Sequence, residues 1–236
     1  MAGRGTSIED PIVVAFPLRG EWRAVHTPAQ RVPSHGTDLF GQRFAFDLWR
    51  TEPDRKDSFA PASALRYWTL GVSLASTYGF GEPVHAVFDG TVVHAADGMR
   101  DPGHLQPLRD IGRVIWNSLR YTFGQTDPWR FIGNHVLLQS AERPEVYAAY
   151  AHFAQGSVPV TVGSQVGTGD LVGRVGHTGN STAPHLHFQL MDGPDPATAA
   201  GLACAFDRYE EWDGGAWRLV ENGIPGFEVR TRSVPA

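Results

Sequence analysis

The sequence predicts a mainly β fold, an antiparallel sheet shaped into a groove, with one or two short helices confined to insertions. Two observations carry this. Apolar positions alternate in short runs, the period-two pattern of strands that bury one face. Glycine and proline are abundant, 27 and 17 of 236 residues, and they punctuate those runs as turns.

The strands predicted in order are Ile12–Phe16, Arg43–Trp49, Val84–Phe88, Thr91–Ala95, His135–Gln139, Val146–Phe153, Leu171–Val175 and His185–Leu190. Two segments break the rhythm. Residues 51–80 carry mixed charge and then Ala, Tyr, Trp and Leu, which suits a short helix. Residues 96–133 read as an insertion in which Leu105, Leu108, Ile111, Ile115 and Leu119 recur at helical spacing. Long insertions of this kind wall binding clefts or are bland surface excursions. Two stretches, residues 81–93 and 163–173, read as short hairpins bending at Gly or Asp-Gly. Lipoyl and biotinyl carrier domains share such hairpins, but they need an acceptor lysine at the tip. Lys56 is the only lysine and lies near neither bend.

Composition narrows the function. With 42% hydrophobic and 19% charged residues, the chain can bury a sizeable core. The formal net charge is −5, with no basic stretch to neutralise phosphates, so nucleic acid is not an expected partner. No apolar run reaches the length of a membrane span, and residues 1–11 lack the apolar stretch of a secretory signal. Cys204, the sole cysteine, excludes an internal disulfide and a cysteine zinc cage. It reads as a small buried hydrophobe.

The chemistry concentrates in Pro184–His185–Leu186–His187–Phe188–Gln189–Leu190. On a strand, His185, His187 and Gln189 share one face and the apolar residues the other, with the histidines roughly 6.5 Å apart. Alone, this is better explained by surface histidines. Tyr147–Phe153 adds a strand on which alternation puts Tyr150 and His152 together. Arg43–Leu48 places Phe44, Phe46 and Leu48 inward and Asp47 on the polar side, where a carboxylate needs a partner. His35 sits in a loop just upstream. Two imidazoles, a carboxylate and an open position for water describe a catalytic zinc site.

These residues resemble the lysostaphin-type (LytM-like) zinc endopeptidases. That family carries a histidine followed by an aspartate, then a tyrosine–alanine–histidine stretch, then a glycine-rich turn leading to His-x-His. Here they look like His35 with Asp47, Tyr150–Ala151–His152–Phe153, and Gly176 through Phe188. The resemblance covers about residues 31–191 of what reads as one domain, with an extension at about 200–236 expected to hold packing strands. It implies one Zn2+ per chain held by His35, Asp47 and His187, with His152 and His185 as catalytic histidines. Which of the two acts as base stays open. It implies hydrolysis of peptide bonds in peptidoglycan stems or cross-bridges, and a location in the cell envelope or outside the cell. A non-catalytic binding or regulatory module on the same fold is the alternative.

The family's usual aspartate lies four residues after its histidine. Here the gap is twelve, and Asp38 lies only three residues from His35. Asp47 is preferred because Gln42–Asp47 resembles a long-gap variant and sits on a strand, whereas Asp38 reads as a solvated turn carboxylate. His26, His85, His94, His104 and His177 are expected to be solvent-facing or structural, and residues 17–30 offer no clear inhibitory ligand. His135 suits an outer contact to the site. Trp49, Trp68, Trp116 and Trp129 suit either substrate stacking or plain anchoring. The sequence does not reveal the oligomeric state.

Overall fold

The computed structural model describes residues 8, 10–52, 55, 58–122 and 127–234. Among them one large sheet contains β1 (Ile12–Val14), β2 (Glu21–His26), β3 (Phe46–Trp49), β4 (Gly90–Ala96), β5 (Asn134–Ser140), β6 (Tyr147–Phe153), β7 (Gln165–Val166), β8 (His185–Met191), β9 (Gly201–Leu202), β10 (Cys204–Trp212), β11 (Trp217–Gly223) and β12 (Arg230–Ser233). The spatial order is β1-β10-β12-β2-β3-β8-β6-β5-β4-β7, with β9 on β8 and β11 on β10. Pairing is antiparallel except where β1 runs parallel to β10. Residues 171–174 and 83–85 form a separate ladder, and residues 72–73 pair with 104–105.

The alternation that predicted strands also builds the core. Phe46, Leu48, Tyr150, Leu186, Phe188 and Phe206 are fully enclosed beneath the central strands. Burying each such side chain contributes about 1.5–3 kcal/mol. Cys204 lies in the same core, the small hydrophobe its surroundings predicted. The C-terminal extension is strand, as expected, and β12 bridges β10 to β2 through Thr231 opposite Trp22.

The two predicted helices exist as α1 (Ala64–Thr69) and α2 (Pro107–Thr122), and an unpredicted short α3 (Pro128–Ile132) follows. Ser63 accepts from Arg66 N to cap α1, and Asp127 accepts from Trp129 N to cap α3. Leu105 falls outside α2, in the short ladder with Val72. The orientation of α2 differs from that of a core helix. Its periodic residues Leu108, Ile111, Ile115 and Leu119 are exposed, and Asp110 on the opposite side is fully buried. The helix is held by polar contacts rather than by its apolar stripe. No helix among the described residues is long and apolar enough to cross a membrane.

Candidate metal centre

Strand β8 is the floor of the site. Leu186, Phe188 and Leu190 enter the core, so His185, His187 and Gln189 must face the other way. Register does the rest. His187 stands directly opposite Asp47 of β3 on one side and Ala151 of β6 on the other.

Strand β3 is shorter than predicted. Residues 39–44 instead form a tight 3-10 turn with positive φ at Phe40 (61°) and Gly41 (69°). A Cβ at Gly41 would lie 2.9 Å from the Met191 side chain, so the turn needs glycine where it crosses β8. The turn carries Asp38 outward, where it pairs with Arg43 at 2.8 Å and stays away from the cluster.

Asp47 is buried at the centre of four imidazoles. Its Oδ1 lies 2.8 Å from His187 Nδ1 and 3.4 Å from His185 Nε2. Its Oδ2 lies 2.8 Å from His26 Nδ1 and 3.1 Å from His35 Nε2. Burial pushes the carboxyl up, but His35, His185 and His187 outweigh it and hold Asp47 well below the usual carboxylate range.

The hydrogen bonds around the ring assign its lone pairs. The Ser34 hydroxyl donates to Gln42 O at 3.2 Å, so at 3.0 Å it accepts from His35 Nδ1. His35 Nε2 is then a bare acceptor, buried without a hydrogen-bond partner despite its closeness to Asp47. Gln189 Nε2 donates to Phe40 O at 2.6 Å, which fixes the amide and leaves Gln189 Oε1 to accept from His187 Nε2 at 2.9 Å. A neutral His187 thus also aims a lone pair, that of Nδ1, at the carboxylate. Two lone pairs facing a carboxylate repel it unless a cation or proton lies between. Burial pushes His187 down, and Asp47 more than reverses this; for His35 burial prevails and Asp47 only opposes it. The donor set, nitrogen and carboxylate oxygen, suits zinc.

His152 reaches the site by a different route from the one alternation gives. Tyr150 does not share its face. The tyrosine ring packs on Phe188 in the core, 5.3 Å between centroids, and its hydroxyl accepts from Val87 N. A bulge between β5 and β6 sets two steps on one strand against three on the other. His152 takes φ +64° within it, which turns the ring to the His187 side. Its ring centroid lies 4.9 Å from that of His185 and 5.8 Å from that of His187. Nδ1 donates to Thr178 O at 2.9 Å, and His185 Nδ1 donates to Ala183 O at 2.7 Å. Both rings therefore carry their lone pair on Nε2. Burial, reinforced by neighbouring imidazoles, holds His152 well below its ordinary pKa.

The loop that carries these carbonyls is pinned by two glycines. A Cβ on Gly133 would meet the Thr178 carbonyl carbon at 2.7 Å, and one on Gly179 would meet Gly133 N at 2.6 Å. This close approach lets Asn134 N donate to Thr178 Oγ1 at 2.9 Å.

Sequence reasoning missed His26. Plain alternation along β2 sends Trp22, Ala24 and His26 to one face, and Trp22 and Ala24 are core residues. A register shift between Ala24 and His26 reverses the last residue and pairs it with Asp47. No local signal marks that shift. By its atoms, the group His26, His35 and Asp47 is itself compact enough to hold a metal.

His135 is at the site's edge. Its Nδ1 donates to Gly133 O, its Nε2 faces His94 Nδ1 at 2.8 Å, and its ring stacks on Trp129. Burial pushes its pKa down to about 4. The unfolded chain therefore takes up a proton between pH 6.5 and 4 that the native state refuses, so stability falls as pH falls through that window. Urea unfolding with a chelator present should show His135→Phe losing less stability than wild type from pH 7 to 5, by roughly 2 kcal/mol. Equal losses would mean that His135 takes up its proton equally in both states.

Together these groups line a cleft of about 470 Å³. Val114, Ser118 and Tyr121 of α2, with Trp129, Phe131 and Ile132, form one wall, so the insertion does border the site. Trp129 is in that wall. Trp49, Trp68 and Ile111 border a neighbouring depression, and Trp116 is exposed.

Comparison with known proteins bears on this arrangement. Residues 120–198 match peptidase family M23, a span that holds His152, His185 and His187 and stops short of His35 and Asp47. A DD-carboxypeptidase/endopeptidase, Mpg, of Neisseria meningitidis serogroup B is 28% identical over 104 residues, which is 44% of this chain and 23% of that protein. The chain thus matches about a quarter of the length of its curated relatives. The catalytic domain of lysostaphin from Staphylococcus simulans is 25% identical, over 57% of this chain and 81% of that one, with a TM-score of 0.33. A putative glycyl-glycine endopeptidase from Ruminococcus gnavus is 14% identical, over 81% and 57%, with a TM-score of 0.41.

Proposed function

We propose that this chain, which carries a peptidase family M23 segment, is a zinc-dependent endopeptidase that hydrolyses peptide bonds, with peptidoglycan stems or cross-bridges as its substrate class. The observation that carries the reading is the pair of lone pairs, His35 Nε2 and His187 Nδ1, converging on the buried Asp47 carboxylate. These three residues would hold one Zn2+. When bound, the ion supplies a water of pKa near ~7 and polarises the scissile carbonyl.

The remaining roles belong to the chain's own groups. His152 and His185, each with a lone pair on Nε2, take the proton from the attacking water and return it to the leaving amine. Whichever ring becomes protonated then donates to the oxyanion. The wall formed by α2 and Trp129 excludes water and orients the peptide beside the strand floor.

The test is incubation of the protein with purified cross-linked peptidoglycan and with short glycyl and D-alanyl peptides. New amino groups should appear with the protein, vanish with chelator and return with added zinc. No cleavage of any of these by zinc-loaded protein would turn the reading to a binding module on the same fold.

His26 decides between two ligand sets. Its Nδ1–H can donate to Asp47 Oδ2, orienting the carboxylate, while His187 serves as the ligand. On that arrangement His26→Ala keeps about one zinc per chain and weakens zinc affinity roughly tenfold. A variant that retains no zinc while His187→Ala keeps it would instead place the ion among His26, His35 and Asp47.

A further inference from the structure

Behind His185, away from the cleft, lies a line of buried polar groups that the peptidase reading does not use. Asp110, His177 and Ser181 are all fully enclosed. His177 Nε2 lies 3.4 Å from Asp110 Oδ2, and His177 Nδ1 lies 2.9 Å from Ser181 Oγ. Ser181 Oγ in turn lies 3.2 Å from His185 Nδ1. Asp110 comes from α2, which turns its apolar stripe outward and this carboxylate inward. A buried charge is costly unless paired, and Asp110 is paired by Arg109 at 3.0 Å and Gln106 N at 2.8 Å as well as facing His177.

We propose that Asp110 and His177 are positioning residues that act through Ser181 to fix the ring of His185, a proposal that rests on His185 being a catalytic histidine. The proton order follows from the acceptors. The carboxylate accepts from His177 Nε2–H, so His177 Nδ1 accepts from the Ser181 hydroxyl. His185 Nδ1–H then has to serve both Ala183 O at 2.7 Å and Ser181 Oγ at 3.2 Å, two oxygens that themselves lie 2.7 Å apart. The lone pair of His185 is left on Nε2, which faces Asp47 Oδ1 at 3.4 Å beside the cleft.

A competing order exists and differs in one proton. Arg113 NH2 lies 3.3 Å from His177 Nε2 and could donate to it. His177 would then carry its proton on Nδ1, and Ser181 would donate to Ala183 O at 2.7 Å. The anionic acceptor favours the first order, and Arg113 is already engaged by Ser181 O at 3.0 Å and by Asp110 Oδ1 at 3.5 Å. Burial holds His177 neutral against Asp110, and the groups around Asp110 keep its carboxyl ionised, as the first order requires.

The experiment pairs kinetics with nitrogen-15 NMR of the histidine rings on the full zinc-loaded chain. In wild type, His177 should read as the Nε2–H form and His185 as the Nδ1–H form. In Asp110→Ala, which removes the Oδ2 that faces His177 Nε2, Arg113 is left to donate to that nitrogen and the His177 pattern should reverse. Turnover kcat should fall about tenfold with KM within twofold, and Asp110→Glu should recover part of kcat. Ser181→Ala, a smaller change, should show the same loss of kcat with the His177 pattern retained. A wild-type His177 with its proton on Nδ1 would overturn the proposal. So would an Asp110→Ala protein that is folded and unchanged in kcat. If wild type cleaves no peptide, the peptidase reading fails, and the catalytic part of the proposal fails with it; the ring patterns still report whether the relay exists.

Discussion

Replacing His187 with alanine is expected to remove zinc from the purified chain, from about one ion to none detectable, and peptide cleavage with it. His187 sits opposite Asp47 in register, and its Nε2–H is committed to Gln189, so only Nδ1 can serve a metal. On the proposed ligand set, losing His187 leaves Asp47 and His35, too few for the four-coordinate site that zinc prefers unless His26 joins them. The fold should survive, because the core face of β8 consists of Leu186, Phe188 and Leu190, which are untouched. Elemental analysis beside a thermal melt separates the two effects. A folded variant still holding one zinc would show that His187 is not a ligand.

The second large effect is expected at His152. Its ring lies beyond hydrogen-bonding contact with Asp47, so His152→Ala should keep its zinc while kcat falls by about 10²–10⁴. KM should change little, because in the proposed role the ring acts on the proton and not on the peptide's anchoring. This residue also holds a backbone conformation, φ +64°, that an ordinary side chain adopts at a cost. His152→Gly should therefore lose the same activity as His152→Ala yet be more stable, by about 1 kcal/mol. Chemical denaturation of the two variants checks this. Equal stability would mean that the positive φ stores no strain, and full activity in either variant would remove His152 from the mechanism.

The two predictions rest on different kinds of information. His185, His187 and Asp47 were legible because a strand has a strict period of two: once Phe188 and Leu186 are committed to a core, the histidines between them have nowhere else to point. The glycine-rich turn before them was legible through the family resemblance, and the structure supplies its steric reason, since Gly133 and Gly179 meet where no Cβ fits. The mainly β architecture and both larger helices came from the same short-range rules.

The tertiary structure alone decided what those rules invert. Two irregularities of register, at His26 and at His152, carry a side chain from the face that alternation assigns to the opposite one. A bulge adds one residue to one strand only, and its position depends on the partner strand, which lies far off in sequence. That is why Tyr150 was placed beside His152; His26 read as bland because no strand was expected at residues 21–26. The same holds for Asp110 and His177. Helical periodicity marked an amphipathic helix but not which side faces the protein; the buried carboxylate, facing an imidazole 67 residues away, lies on the inward side. Local sequence fixes which residues alternate; the long-range pairing of buried charges and strand edges fixes which way they finally point.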